Sequence, residues 1–134
     1  MRPTISVTLL ALGLAAAIGC NDVRPTYLGR SDPYSPRQIQ FTSEELQNDT
    51  AISGAPKLSR DPAGYLIVDI PIRSAIDHDL HVDYQTQFFD ASGRVIETTA
   101  WQTVLLPANT PYSVTSESTS AAVTDFQTTF RYAK

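Results

Sequence analysis

The stretch that decides the fold is LHVDYQTQF, residues 80–88. Every second position holds a mainly apolar side chain, and these share one face: Leu80, Val82, Tyr84, Thr86 and Phe88. The positions between them hold a polar set: His81, Asp83, Gln85 and Gln87. Successive side chains of an extended strand point to opposite faces, so this alternation predicts a β-strand with one buried and one solvated face.

Two further runs alternate in the same way, one at residues 66–72 and one at residues 126–132. In the first run Pro71 lacks an N–H group, so we expect that end to lie at a sheet edge or a bulge. Before it, Asp61-Pro62-Ala63-Gly64 fits a type I turn. Between the runs, Gly93 suits the left-handed position of a hairpin loop.

The remaining chain offers shorter strands and little helix. Residues 38–41, 95–96, 101–106 and 112–116 fit further strands. Thr42 and Glu45 have the spacing of a capping box, which predicts one or two helical turns to about Asp49. About seven strands without room for helical crossovers indicate an all-β antiparallel sandwich over residues 38–134.

The N-terminus has the pattern of an export signal. A short basic start, Met1-Arg2, precedes an apolar run over residues 5–18, which is too short to cross a bilayer comfortably. Ala17-Ile18-Gly19-Cys20 then resembles the bacterial lipobox, in which small residues precede a cysteine that receives lipid. We expect residues 1–19 to be a lipoprotein signal peptide and Cys20 to be acylated, which would anchor the chain to a bilayer. The alternative is an ordinary secretory signal with a chance cysteine.

Residues 20–37 fit a flexible tether. They contain three prolines and no periodic apolar pattern, so they cannot bury enough surface to offset the entropy of ordering. The alternative is a partner-binding arm that uses Tyr27 and Tyr34. The position after Cys20 holds Asn21, and the acidic Asp22 comes one place later than a strong inner-membrane retention signal, so we expect a periplasm-facing chain in the outer membrane.

Charge and cysteine content exclude several classes of protein. The net charge of -4 gives no reason to bind nucleic-acid phosphates. The one cysteine cannot form an intrachain disulfide or a multi-cysteine metal site. The sequence has no Gly-x-Ser-x-Gly elbow and no glycine-rich phosphate loop, so we expect neither an enzyme nor a cofactor.

The sequence offers three candidate sites, and each of them also has a simpler structural interpretation. His78, His81 and Asp83 are close enough in sequence to suggest a divalent metal site, but a polar turn leading into a solvated strand face fits better. Five aromatic residues fit either a ligand platform or, better, the core: Trp101, Tyr112, Phe126, Phe130 and Tyr132. Tyr65 and Ile67 lie opposite the core-facing residues of their strand, which indicates coverage by the N-terminal segment or an interaction surface. The unpaired edge of the sandwich is a second candidate surface.

The order and spacing of several of these segments resemble the YcfL-like family of bacterial lipoproteins, over about residues 38–134 and including the lipobox. The resemblance rests on residues 66–73, the turn at 88–93, Trp101, Leu106-Pro107-Ala108 and a closing segment from Ala122 to Ala133. It implies an immunoglobulin-like sandwich in the periplasm and no settled activity. Such proteins are encoded in some bacteria near a lipoprotein activator of a peptidoglycan synthase, which implies an accessory role in the envelope.

These observations predict a membrane-anchored lipoprotein that acts as a non-enzymatic interaction module of the cell envelope, with an envelope protein as its partner. The alternative is a binder of a small envelope ligand or glycan. A hydrolase built on His78 or His81 would need a cleft around one of them.

Overall fold

The computed structural model describes residues 33–134, which form an all-β sandwich with one short helix. In chain order the elements are β1 (Ile39–Phe41), α1 (Glu44–Asp49), β2 (Thr50–Ile52), β3 (Lys57–Arg60), β4 (Leu66–Ser74), β5 (Leu80–Phe89), β6 (Val95–Thr98), β7 (Gln102–Leu106), β8 (Tyr112–Glu117) and β9 (Asp125–Tyr132). The described part thus has nine strands, two more than the sequence pattern indicated, because β2 and β3 are too short or too exposed to show clear alternation.

Each sheet is built on one long central strand. In sheet A the order is β1, β9, β5, and both β6 and β7 then pair with the far side of β5. In sheet B, β8 pairs with one side of β4, while β2 and β3 pair with different segments of its other side. The two sheets therefore have the same plan, and the predicted strands at residues 66–72 and 80–88 are their centres.

The sheets are antiparallel except at one pair. β1 runs parallel to β9, with Ile39 beside Thr128 and Phe41 beside Phe130. The predicted antiparallel sandwich is confirmed for the other strand pairs, and this pair departs from it because α1 carries the chain from β1 across to sheet B instead of into a hairpin. Ser43 caps α1 by accepting from the Leu46 N–H at 3.2 Å, so the helix begins one residue later than the predicted Thr42 cap.

Pro71 lies in the central strand β4, in regular register with β8, and not at the predicted sheet edge or bulge. Its residue partner on β8 is Ser113, and its carbonyl on the opposite side accepts from the Ser53 N–H at 2.9 Å. The pairing of β2 ends at Ile72 and that of β3 starts at Asp69, so the missing N–H of Pro71 falls in the gap between two short strands. The physical constraint on proline is met inside the sheet because no ladder bond is needed at that place.

Two hairpin turns have the same construction. In Asp61–Gly64 and in Asp90–Gly93 the glycine N–H donates to the carbonyl of the aspartate at 3.0 Å, and the glycine has φ of +87° or +82°. Each aspartate carboxylate also accepts the N–H of the residue after the glycine. Both predicted turns are confirmed.

The core between the sheets is apolar apart from a few hydrogen-bonded hydroxyls. Its largest fully buried side chains include Phe88, Phe126, Phe130, Leu46, Ile70 and Ile72. Thr86 lies among them and is hydrogen-bonded at 2.8 Å to both Ser116 of sheet B and Thr128 of sheet A. Every buried side-chain nitrogen or oxygen of the described residues has a partner, as expected of a well-packed native interior.

Candidate functional site

The outer face of sheet A carries the polar half of the alternating pattern. β5 and β9 place four residue pairs directly opposite one another: Asp83–Arg131, Gln85–Thr129, Gln87–Gln127 and Phe89–Asp125. Directly opposed residues of antiparallel strands project from the same face, so these eight side chains form one continuous surface. β1 adds Gln40, which lies beside Thr129.

Asp83 lies at one end of this surface and is only 5% exposed. The Thr103 hydroxyl donates to one carboxylate oxygen at 2.6 Å, and Nε of Arg131 donates to the other at 3.1 Å. The Thr103 hydrogen bond is the largest influence on the carboxyl; with Arg131 it holds the pKa of Asp83 below its ordinary value, although burial acts in the opposite direction. The prediction that this strand face is solvated is therefore wrong at Asp83. Thr103 of β7 and Arg131 of β9 both bond to its carboxylate, and the side chain is buried.

Trp101 packs against Arg131, the residue that donates to Asp83. The guanidinium carbon of Arg131 lies 3.8 Å from the centroid of the Trp101 ring, within the range of a cation–π contact. One ring face of Trp101 is thus occupied by the protein itself. Of the five aromatic residues weighed between platform and core, Phe126 and Phe130 are buried as the core interpretation predicted, while Tyr112 is 41% exposed.

The metal candidates are not brought together. His81 points outward beside Leu105, and His78 is an exposed loop residue whose Nδ1 lies 3.0 Å from the Asp77 carboxylate. That hydrogen bond is the main cause of the lowered pKa of Asp77. Both oxygens of Asp83 are already engaged by Thr103 and Arg131. Among residues 33–134, no group of three or more His, Cys, Asp or Glu side chains is placed to hold a metal ion.

Tyr65 and Ile67 lie on or beside the outer face of sheet B and are half-buried. Ile67 is flanked by Ser59 of β3 and Glu117 of β8. More strongly exposed apolar side chains occur at the free edge of sheet A, where Val95, Ile96 and Leu105 are 48%, 41% and 41% exposed. Cys20 and Tyr27 lie outside the described residues, whereas Tyr34 packs against the core.

An open groove of about 680 Å³ lies at the other end of the outer face of sheet A. Its floor includes Gln40, Gln87 and Gln127, and Phe89 and Asp125 form one end. The segment before β1 supplies a wall, since the Gln127 side-chain amide donates to the carbonyl of Arg37 at 2.9 Å. Gln87 belongs to the predicted solvated face, but the groove as such was missed. The sequence feature that could have indicated the groove is the alternation over residues 126–132, whose outward positions 127 and 129 are also polar.

In the described part of the chain, no helix is long and apolar enough to cross a membrane. No functionally curated protein matches the chain in sequence.

Two solved structures share the fold. The crystal structure of cj0090 from Campylobacter jejuni superposes with a TM-score of 0.61 at 16% identity, covering 72% of this chain and 99% of that one. A DUF1425 family member from Shewanella sp. pv-4 gives 0.54 at 21% identity, covering 63% and 77%. At such identities the likeness establishes the architecture alone.

The sequence profile of a family described as "Protein of unknown function (DUF1425)" matches residues 38–131, which hold all nine described strands apart from the last residue of β9. With the sandwich and its relatives in agreement, this chain belongs to the DUF1425 family.

Proposed function

We propose that the protein is a lipid-anchored interaction module of the bacterial cell envelope, tethered through Cys20 and without catalytic activity of its own. The observation that carries the proposal is the lipobox-like sequence Ala17–Cys20, which stands ahead of a tether and the family-matched sandwich. The resemblance to YcfL-like lipoproteins supports a location in the periplasm, and Asn21-Asp22 after the cysteine favours the outer membrane over the inner one.

The free edge of sheet A supports a role in binding a protein. β6 and β7 pair only with β5 among the described strands, so their other sides offer backbone donors and acceptors. Val95, Ile96 and Leu105 expose apolar surface along this edge. An extended segment of an envelope protein fits such an edge, because it can add a strand and cover these side chains at once.

Lipid anchoring is tested by metabolic labelling with an alkyne fatty acid. We expect label on the wild-type chain and none on Cys20→Ser, and we expect the wild type to sediment with outer-membrane vesicles. Label that persists in Cys20→Ser, or a chain retained in the cytoplasm, would contradict the anchor.

The edge is tested separately with a photo-crosslinking amino acid at Val95 or Leu105 in living cells. We expect a discrete, reproducible adduct with one envelope protein. A matched control places the same group at Glu44, an exposed residue of α1 away from the edge. Adducts that are equal at Glu44 and Val95, or that involve only abundant bulk proteins, would count against the edge as the interaction surface.

A further inference from the structure

We propose that the groove on the outer face of sheet A, lined by Arg37, Gln40, Gln87, Phe89, Asp125 and Gln127, binds a neutral oligosaccharide. This goes beyond the anchored interaction module and needs no lipid. The groove is open and about 680 Å³ in volume, within the usual range of ligand sites. An open groove on a strand face suits a chain-like ligand that passes across it.

The floor is rich in side-chain amides that are available for hydrogen bonds. Gln87 and Gln127 are directly opposed on β5 and β9. Gln127 uses its amide N–H on the Arg37 carbonyl and keeps its oxygen as an acceptor. Within residues 33–134 the Gln40 and Gln87 amides bond to no other side chain or backbone group. Each free amide offers two donors and an acceptor side by side, which matches hydroxyl groups that both donate and accept.

Phe89 supplies an apolar surface at the end of this polar floor. It is half-buried, and it projects from the same face as Gln87, about 7 Å further along the strand. The face of an aromatic ring is electron-rich and attracts the weakly positive C–H groups of a sugar ring. Amides beside an aromatic ring are thus suited to a ligand with polar edges and apolar faces.

The charges of the groove favour an uncharged ligand. Arg37 and Asp125 contribute opposite charges to the lining. The third charged group, Asp90, is already engaged, since its carboxylate accepts from the backbone of Ser92 and Arg94 and lies 3.4 Å from the Arg94 guanidinium. The lining therefore has no surplus of accessible charge of one sign that would select an anion or a cation.

A peptide fits the groove less well than a sugar. Peptides bind sheets mainly through main-chain hydrogen bonds at a free edge. Along the groove β5 is paired on both sides, to β9 and to β6, whereas β1 pairs with β9 only over Thr128–Phe130 and leaves one side of Asp125–Gln127 without a partner among the described strands. In that short segment the Phe126 N–H already donates to the Asp125 carboxylate at 2.8 Å. A peptide would therefore find little free backbone to pair with, and a sugar has the denser set of hydroxyl groups for side-chain amides.

The test is a titration of the full chain in detergent micelles, followed by backbone amide NMR shifts. The probes are tetrasaccharides of N-acetylglucosamine and of glucose, with tetraalanine as the competing ligand class. We expect at least one tetrasaccharide to give saturable shifts centred on Gln40, Gln87, Phe89 and Gln127. Because a groove of this kind supports weak binding, the titration extends to about 10 mM.

Gln87→Ala should weaken saccharide binding by about tenfold, the usual consequence of losing hydrogen bonds to a ligand. Gln40→Ala, at a more exposed position, is a second variant that leaves the fold intact. Gln47→Ala is the matched control, because Gln47 is an exposed amide of α1 outside this groove, and it should bind as the wild type does.

Failure of both tetrasaccharides to saturate, shifts centred elsewhere, or saturation by tetraalanine in their place would each overturn the proposal. The Cys20→Ser chain should bind the tetrasaccharide as tightly as the wild type. A failed lipid anchor and a failed sugar site therefore give different results.

Discussion

Arg131 joins Trp101 to Asp83. Its guanidinium carbon lies 3.8 Å from the centroid of the Trp101 ring, and its Nε donates to the Asp83 carboxylate at 3.1 Å. One side chain of β9 thus connects the outer face of β5 to Trp101, which lies in the segment between β6 and β7. A planar guanidinium can stack and donate at the same time, which a lysine ammonium cannot do.

Arg131→Ala should therefore uncover Trp101, the only tryptophan in the chain. We expect tryptophan emission to move to longer wavelength in the folded protein, and the lost stacking alone to cost about 0.5–1 kcal/mol. Arg131→Lys should restore only part of the wild-type spectrum. Arg94→Ala, which removes an exposed arginine of a hairpin, is the control and should leave emission unchanged. An unchanged spectrum in folded Arg131→Ala would show that the contact does not persist in solution.

The hydroxyl of Thr86 is the centre of a buried polar cluster that bridges the two sheets. It is hydrogen-bonded at 2.8 Å to Ser116 and at 2.8 Å to Thr128, and all three residues are buried. Thr86→Val keeps the shape but leaves two buried hydroxyls short of a partner. We expect a loss of about 1–3 kcal/mol in the free energy of unfolding, measured by urea denaturation with an unchanged slope.

The triple variant Thr86→Val, Ser116→Ala, Thr128→Val is the informative control. Removing all the partners together removes the unmet hydrogen bonds as well, so it should recover much of the loss. A triple variant that is less stable than the wild type by the sum of the three separate losses would mean that each hydroxyl acts independently.

The sequence predicted the centre of the fold better than its margins. Alternation over residues 66–72 and 80–88 located β4 and β5 because each strand is long and has one face in the core. β3 was missed because all four of its residues are exposed, so burial imposes no pattern on it. The parallel pairing of β1 with β9 is a long-range relationship that no local pattern encodes.

The candidate site was predicted less well, for a related reason. Alternation correctly placed His81, Gln85 and Gln87 on the outer face of β5. It could not show that Asp83 on the same face is covered, because the cover comes from Thr103 and Arg131, which are distant in sequence. The groove likewise depends on the Gln127 side-chain amide donating to the carbonyl of Arg37, 90 residues away in the chain.

The two similar turns offer a test of backbone strain. Gly64 and Gly93 have φ of +87° and +82°, a region that residues with a Cβ atom rarely adopt. At Gly93 an added Cβ would meet nothing within 4 Å, and at Gly64 it would lie 3.4 Å from the Cβ of Ala121, an ordinary contact. Gly93→Ala and Gly64→Ala should thus each cost about 1–2 kcal/mol, almost entirely from the backbone.

Gly93→Asn should cost less than Gly93→Ala, because asparagine tolerates this conformation better than alanine does. Thermal unfolding of the four proteins measures both comparisons. A neutral Gly93→Ala would mean that the turn changes type to relieve the strain, and hydrogen exchange at the Gly93 amide would detect that change.

Tyr132 ties the last strand to α1, and this contact should make stability depend on alkaline pH. Its hydroxyl donates to the Asp49 carboxylate at 2.8 Å. Burial, and then the hydrogen bond to Asp49, raise the pKa of Tyr132 to about 12. The pKa of a tyrosine in an unfolded chain is about 10. Because the folded pKa is the higher one, the stabilisation is complete below about pH 10 and is lost as the pH rises toward about 12.

Tyr132→Phe should accordingly be less stable than the wild type near neutral pH, by about 1 kcal/mol for one partly exposed hydrogen bond to a charged group. The difference should shrink steadily above about pH 10, as the wild type loses the contact that the variant never had. Urea denaturation of both proteins from about pH 8 to pH 12 measures it, and taking the difference cancels the other titrating groups. Tyr112→Phe, at a 41% exposed tyrosine, is the control and should show no such convergence. A wild-type advantage that grew with pH would mean that the Tyr132 hydroxyl is not the donor to Asp49.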